Sequence, residues 1–474
     1  MTEQEAIDFC KNEPEAAAKI ILMVEKLAAR VKELEEKLSL NSNNSSKPPS
    51  TDNKLQKRKK TASSAKKKRG AQIGRSGTNL KLVATPDEIQ PLHPSHCKTC
   101  QHSLEDEVSV KIEKRQLFDL PIIKMEVIEY QAHTKICPCC HGRTKASFPD
   151  KINATTQYGD KLKSFTNYCH SFQMIPYERI SELIEDLVDH KISVGTIYNF
   201  LNHHYEQLEL YEQKVKKQLI QAKVLHSDET GINIKGKLHW IHVTSSKYLT
   251  LFYLHAKRGK MAMDDMEILP NYHGVLVHDH WKPYNHYDCQ HAYCNAHLLR
   301  ELTRISGLEK VQWSEDMHQT LTQMNIAVHK AKNSDKEALS ATKINTFTKR
   351  FEQICQNAQI YYPASMQNEV KKRGRPKQAK GKNLLDRLSK YQEETLRFLH
   401  DFSVPFTNNL AERDLRMVKV KEKISGTFAS DRGGQIFCRL RGYISTLKKN
   451  GIAVLQGLRD ALEGNAYIPC GVGC

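Results

Sequence analysis

The change from helical to β texture after residue 221 constrains the fold more than any other feature of the sequence. Val224-Leu225-His226-Ser227-Asp228 is a short apolar run ending in an acid. Residues 236–244 and 248–254 alternate apolar and polar side chains on either side of a Ser-Ser-Lys turn, as paired strands do. Residues 261–269 read as helix. Gly274-Val275-Leu276-Val277-His278-Asp279 is then a fourth apolar strand, and it too ends in an acid.

Three antiparallel strands, a helix and a strand parallel to the first match the opening of a ribonuclease H-like α/β core. In that arrangement the two acids lie side by side. Adjacent carboxylates repel unless they are protonated or bridged by cations. A pair of Mg2+ ions roughly 3.5–4 Å apart neutralises them and grips the attacking and leaving oxygens of an in-line phosphoryl displacement. Hard, oxygen-preferring Mg2+ suits such ligands. A third acid is wanted, and residues 405–416 offer two on a helix that an Asn precedes: Glu412 and Asp414. Spacing alone does not choose between them, and Glu412 with Arg416 four residues on also fits a plain surface ion pair.

The rest of the chain divides around this core. In residues 1–40, Ile20, Val24, Leu27, Val31, Leu34 and Leu38 recur at alternating steps of four and three, the rhythm of a two-stranded coiled coil and hence of a homo-oligomer. Residues 41–82 hold 12 Lys or Arg against one acid, Asp52, and are expected to be a disordered basic linker. Within 83–150, Cys97-Lys-Thr-Cys100 and Cys137-Pro-Cys139-Cys140 bracket two alternating runs, at Val108-Ser-Val-Lys-Ile and Met125-Glu-Val-Ile-Glu-Tyr, that read as strands. Two such knuckles predict a zinc-ribbon-like domain closed by a structural Zn2+ on Cys97, Cys100, Cys137 and Cys140, with Cys139 or His141 as alternatives for the fourth position. Residues 151–220 read as helical and include a helix-turn-helix-like DNA-binding segment around 176–210.

Residues 221–297 form the first part of the catalytic core. Residues 298–400 read as a helical insertion, because 132 residues separate Asp279 from Glu412. Within it, Arg373, Arg375 and Lys377 form a basic loop suited to a narrow minor groove. Residues 401–435 carry the third acid, followed on the same helix by Arg413, Arg416 and Lys419 as phosphate contacts, and 436–474 form a helical cap. Cys289, His291, Cys294 and His297 have metal-like spacing without a strand or knuckle around them. They are expected to pack near the site and orient the strand that carries Asp279.

A net charge of +18 favours a polyanionic partner. The acidic start MTEQEAIDFC lacks an apolar signal core, and no apolar run approaches the ~18 residues of a membrane span. A cytoplasmic, nucleoid-associated protein with reduced or metal-bound cysteines is expected, with no membrane partner.

Taken in order, several pieces resemble the large transposase of the insertion sequence 66 family. They are the N-terminal zipper, Asn-Ser-Ser-Lys-Pro-Pro-Ser-Thr-Asp at 44–52, the two cysteine knuckles, His226-Ser-Asp228-Glu-Thr230 and His278-Asp279-His-Trp281-Lys-Pro-Tyr284. Cys294-Asn-Ala-His297-Leu-Leu-Arg300-Glu-Leu302, Asn408-Asn409-Leu-Ala-Glu412-Arg413 and Ser425-Gly426-Thr-Phe428 complete them. The resemblance implies a DDE enzyme with carboxylates at Asp228, Asp279 and Glu412 and two Mg2+ ions. It implies transposon-end DNA and target DNA as substrates, with small accessory proteins of the same element as partners. One departure is visible: Gln101 stands where the family pattern leads one to expect Gly after the first knuckle. The competing readings are a non-catalytic zinc-containing DNA-binding regulator and a ribonuclease H-like nuclease that cuts without joining.

Overall fold

A computed structural model describes residues 2–41, 44–45, 80–363 and 378–469. Most of the linker 41–82 and all of Arg373, Arg375 and Lys377 lie outside the described residues.

Among the described residues the centre is a mixed five-stranded sheet. Its strands are β3 (Val224–Ile234), β4 (Lys237–Ser245), β5 (Thr250–His255), β6 (Val275–His278) and β7 (Gln290–Tyr293), in the spatial order β5-β4-β3-β6-β7. β3, β4 and β5 are antiparallel, and β6 and β7 run parallel to β3. The first strand continues six residues past Asp228, because the tight turn at Lys235-Gly236 lets Ile234 pair directly with Lys237. β7 was not legible as a strand. It carries His291 beside Leu276, so the Cys289–His297 stretch does flank the strand leading to Asp279.

The sheet is covered on both faces, and β6 shows why. Leu276 belongs to one apolar cluster, while Val275 and Val277 belong to another on the opposite face, with Ala292 and Val404. The Leu276 cluster includes residues of α4 (Tyr177–Val188), α5 (Val194–Gln207), α6 (Glu209–Ile220), α14 (Asp431–Lys449) and α15 (Val454–Leu462). A third cluster packs Ile241, Val243 and Phe252 of the sheet on Ala411, Leu415 and Val418 of α13 (Asn409–Ser425). α14 lies close against β5 at Gly442, where an added Cβ would come within 3.1 Å of the Thr250 carbonyl oxygen.

The insertion has its own core. Helices α8 (Asn295–Glu309), α9 (Gln312–Lys332), α10 (Ala341–Ala358), α11 (Lys380–Lys390) and α12 (Gln392–His400) bury Leu302, Met317, Leu321, Phe351, Leu388 and Leu399 together. The stretch expected as a helical cap, 436–474, holds most of α14 and all of α15. The helix pair expected at 176–210 appears as α4 and α5. α5 starts at a Ser193 cap whose hydroxyl accepts the Thr196 N–H.

Two expectations fail around the knuckles. Residues 108–112 and 125–130 are not strands: their alternating side chains are exposed, with no apolar layer to cover them. The regular pairing there is a short hairpin of β1 (Thr134–Ile136) and β2 (Arg143–Lys145) around the second knuckle. At the N-terminus, α1 (Glu3–Asn12) and α2 (Pro14–Leu38) are helical, and Ile20, Val24, Leu27, Val31, Leu34 and Leu38 are all exposed.

Candidate active site

Asp228 and Asp279 are brought together by strand register. In the parallel pair His226 lies opposite Val277, so two further steps place Asp228, within β3, beside Asp279, the residue that follows β6. Neighbouring strands are ~4.8 Å apart, so the two acids are neighbours across the β3–β6 pair. Both are half-buried.

Glu412 lies on the first turn of α13, near enough for its charge to act weakly on Asp228, and Asn408 holds that turn. Asn408 is 1% exposed. Its Nδ2 donates to the Ser227 carbonyl at 2.8 Å, and its Oδ1 lies 2.9 Å from His226 Nδ1. Since Nδ2 is the donor of that amide, Oδ1 accepts, and His226 Nδ1 carries the proton. Burial holds the His226 pKa down at about 4, so the ring is neutral. The Asn408 backbone N–H also donates to Cys294 Sγ at 3.1 Å, tying α13 to the start of α8. The residues just before Asp228 thus clamp the helix that carries Glu412.

The two acids of the 405–416 segment separate cleanly. Asp414 accepts from Thr250, Ser445 and Lys449, the last at 3.0 Å, in a pair whose side chains are 11% and 12% exposed. It is consumed in joining α13 to β5 and α14. Glu412 instead lies against the start of α8, with Oε1 3.8 Å from both Cys294 Sγ and His297 Nδ1, and Oε2 4.0 Å from Arg300 Nη2.

Electrostatics show that the acids are coupled. The Asp228 pKa is driven well above the ordinary carboxylate range, first by burial and then by the negative charges of Glu229, Asp279 and, most weakly, Glu412. The Glu229 amide, at 2.9 Å, offsets only part of this. The Trp281 amide donates to Asp279 at 2.9 Å. No Lys or Arg lies within ion-pair distance of Asp228 or Asp279 among the described residues.

A guanidinium on the neighbouring Glu229 is committed there. Arg258 pairs with Glu229 at 2.6 Å and lies over the rings of Trp281 (4.1 Å) and Trp240 (4.8 Å). Tyr284 donates to the other Glu229 oxygen at 2.6 Å. Even so, burial pushes the Glu229 pKa up. Sequence reasoning missed Glu229, Arg258, Asn408 and His226 as a supporting frame. His226, Glu229 and Asn408 stood in the motifs His226-Ser-Asp-Glu229 and Asn408-Asn409-Leu-Ala-Glu412-Arg413 without a role, and Arg258 lies in no motif.

Behind Asp279, His278 is fully buried and its Nε2 lies 3.0 Å from His291 Nδ1, which locks β6 to β7. Burial holds the His278 pKa far below its usual value, and that of His280 at about 3.

Of the predicted basic contacts, Arg413, Arg416 and Lys419 are exposed on α13. Lys419 bonds Glu422 and the Gly231 carbonyl. α13 ends at Gly426 (φ +67°), after which Phe428 bridges to the far end of β3. That conformation explains the Ser-Gly-Thr-Phe motif.

The knuckles are built alike. In each, the first cysteine N–H donates to the carbonyl five residues on, His102 or Gly142, and its own carbonyl accepts the N–H four residues on, Gln101 or His141. Gln101 (φ 62°) and His141 (φ 57°) both take the left-handed conformation that glycine would occupy at no steric cost, so the turn forms despite the departure at Gln101. Amides of Cys100 and Thr99 lower the Cys97 pKa, and those of Cys140 and Cys139 lower that of Cys137. The four thiols are not gathered into one cluster. Among the described residues, the potential metal ligands grouped within 4.8 Å of one another are Cys294, His297 and Glu412.

The description "Transposase IS66 family" fits residues 155–436, more than half of the sequence. The chain belongs to the IS66 transposase family. All three acids, and α3 (Asp160–Asn167) through α13, fall within this region of the IS66-family chain. Residues 4–81 match a separate family of unknown function, DUF6444. Over 88 residues the chain is 36% identical to an uncharacterised protein, y4jO, of Sinorhizobium fredii, a match covering 18% of this chain and 27% of that protein. Among the described residues no helix is long and apolar enough to cross a membrane.

Proposed function

We propose that this chain is a DDE transposase that cuts and joins the DNA ends of an insertion sequence, using Asp228, Asp279 and Glu412. The observation that carries this reading is the uncompensated crowding of carboxylates. Register sets Asp228 beside Asp279, Glu412 adds its charge from α13, and the Asp228 pKa rises accordingly. The donor set is all carboxylate oxygen, half-buried and without a neutralising Lys or Arg on either Asp, which fits a pair of Mg2+ ions. When bound, such ions supply charge neutralisation and hold the attacking and leaving oxygens of phosphoryl transfer. The chain's own residues position the acids: His226 and Asn408 fix Glu412, the Trp281 amide fixes Asp279, and Arg258 is held away on Glu229.

The strand order β5-β4-β3-β6-β7, with three antiparallel strands and two parallel ones, supports a ribonuclease H-like core with an α-helical insertion. Membership of a transposase family supports transposon-end and target DNA as substrates, and the exposed Arg413, Arg416 and Lys419 beside Glu412 would meet phosphates. The paired knuckles support a structural Zn2+ on Cys97, Cys100, Cys137 and Cys140, since Cys140 rather than Cys139 repeats the position of Cys100. Closing that site requires the knuckles to approach each other. The exposed heptad stripe of α2 supports dimerisation through a coiled coil. A cytoplasmic, nucleoid-associated protein working with small accessory proteins of its element completes the proposal.

The test is cleavage and joining of labelled DNA carrying the element's own termini, with and without Mg2+. Asp228→Asn, Asp279→Asn and Glu412→Gln should each abolish both products while DNA binding persists. Cleavage without joining would favour a nuclease. Binding without cleavage in the unaltered chain would favour a regulator.

A further inference from the structure

Glu412 lies beside a thiol and an imidazole. Cys294 caps the N-terminus of α8 and His297 lies on its first turn, so both look toward α13 across the same gap. Cys294 Sγ, His297 Nδ1 and Glu412 Oε1 lie within 4.8 Å of one another, with the sulfur and the nitrogen each 3.8 Å from the oxygen. A tetrahedral ion with bonds of roughly 2.0–2.3 Å sets its ligand atoms about 3.3–3.6 Å apart, so the sulfur and the nitrogen each need to approach the Glu412 oxygen by only a few tenths of an ångström. His297 Nδ1 is buried without a hydrogen-bond partner, an orphan that a metal would satisfy. Cys294 Sγ accepts one N–H, from Asn408, and has further lone pairs to offer.

Ligand chemistry separates this trio from the aspartate pair. Mg2+ prefers oxygen ligands, whereas a sulfur, an imidazole and a carboxylate suit Zn2+ or Co2+. Thiolate and carboxylate together carry two negative charges, which a divalent ion cancels. Arg300, 4.0 Å from the other Glu412 oxygen, is the cation nearest that carboxylate and does not occupy the trio. Three protein ligands leave one coordination position open.

We infer that Cys294, His297 and Glu412 form a site for a thiophilic divalent ion of the zinc class, and that filling it withdraws Glu412 from Asp228 and Asp279. The ion would then act as a brake on the carboxylate site. The site itself stands on the trio's geometry, while the braking effect rests on the catalytic reading above.

The test titrates Co2+ into the full chain in excess Mg2+, following thiolate-to-cobalt absorption and the cobalt retained after gel filtration. Cys294→Ser and His297→Gln should each lose one equivalent of cobalt. Cys97→Ser, which disturbs only the knuckles, should leave that difference unchanged. Equal cobalt retention in the starting chain and both variants overturns the site. If Cys294→Ser unfolds by circular dichroism, His297→Gln, at a partly exposed position, decides alone. In DNA cleavage at fixed Mg2+, one equivalent of Zn2+ beyond that held by the knuckles should slow the starting chain at least tenfold and His297→Gln less than twofold relative to its own zinc-free rate. Equal inhibition of the two overturns the brake. A Glu412→Gln chain that cleaves normally would refute the catalytic reading, and the cobalt counts would stand apart from it.

Discussion

Replacing Asn408 by Ala removes the one amide that ties the Glu412 helix to the Asp228 strand. Two partners are stranded: the proton on His226 Nδ1, in a residue 6% exposed, and the Ser227 carbonyl. Each orphaned buried polar group costs about 1–3 kcal/mol, so a destabilisation of about 2–6 kcal/mol is expected. The functional loss should be larger than stability explains. Glu412 N–H donates to the Asn408 carbonyl at 3.2 Å, one helical turn away, so a shift at Asn408 moves Glu412 with it. Misplacing a reacting group by ~1 Å costs on the order of 100-fold in rate. Urea unfolding followed by tryptophan fluorescence, and end cleavage at saturating Mg2+ under conditions where the variant is folded, measure the two effects. Combining Asn408→Ala with His226→Ala should give a coupling of about 0.5–3 kcal/mol, as for residues in direct contact. A change below ~0.5 kcal/mol, with cleavage within a factor of two, would refute the idea that Asn408 positions Glu412.

Further consequences can be measured on the same preparations. Asp228 and Glu229 have folded-state pKa values raised above those of the unfolded chain, so the stability they contribute is full below the ordinary carboxylate range and is lost as pH rises through the folded values. Without divalent ions, Asp228→Asn should therefore melt above the unaltered chain, by a margin that grows from acid to neutral pH and shrinks when Mg2+ is added; a pH-independent difference would contradict this. Asp414→Asn leaves Lys449 buried without its charge partner and should cost about 3–5 kcal/mol, while cleavage per folded molecule survives. Loss of cleavage at full folding would instead make Asp414 the third acid. Burial depresses His170, His204 and His280 to about 3 and His226 and His242 to about 4, so their stabilising contribution, full above pH ~6.5, should be lost progressively as pH falls from there to about 3. Thermal melts showing constant stability across that window would count against neutral buried rings.

Strand texture was readable where one rule governs it. β4, β5 and β6 lie within two residues of their predicted limits because alternation and a terminal acid mark them. β7 was missed because its Gln-His-Ala-Tyr is too short and polar to signal a strand, and it exists by pairing with β6. The alternation at 108–112 and 125–130 misled for the opposite reason: a period of two has meaning only when something covers the apolar face, and there nothing does. Asp279 could be read from a strand end, whereas Asp228 sits within a strand that runs on to Ile234, and the choice of Glu412 over Asp414 came from the family resemblance; the partners that occupy Asp414 are tertiary. Thr250, Ser445 and Lys449 lie 31 to 164 residues from Asp414 in sequence. No local pattern reports a pairing of that range.

The proposed binding of a pair of hard divalent ions by three acids can be measured directly. Electron paramagnetic resonance of Mn2+, titrated into the full chain bound to a DNA end, measures it without requiring turnover. The free-ion signal should be suppressed by two equivalents in the unaltered chain, and Asp228→Asn, Asp279→Asn and Glu412→Gln should each restore at least one. Equal Mn2+ uptake by all four proteins would contradict the account.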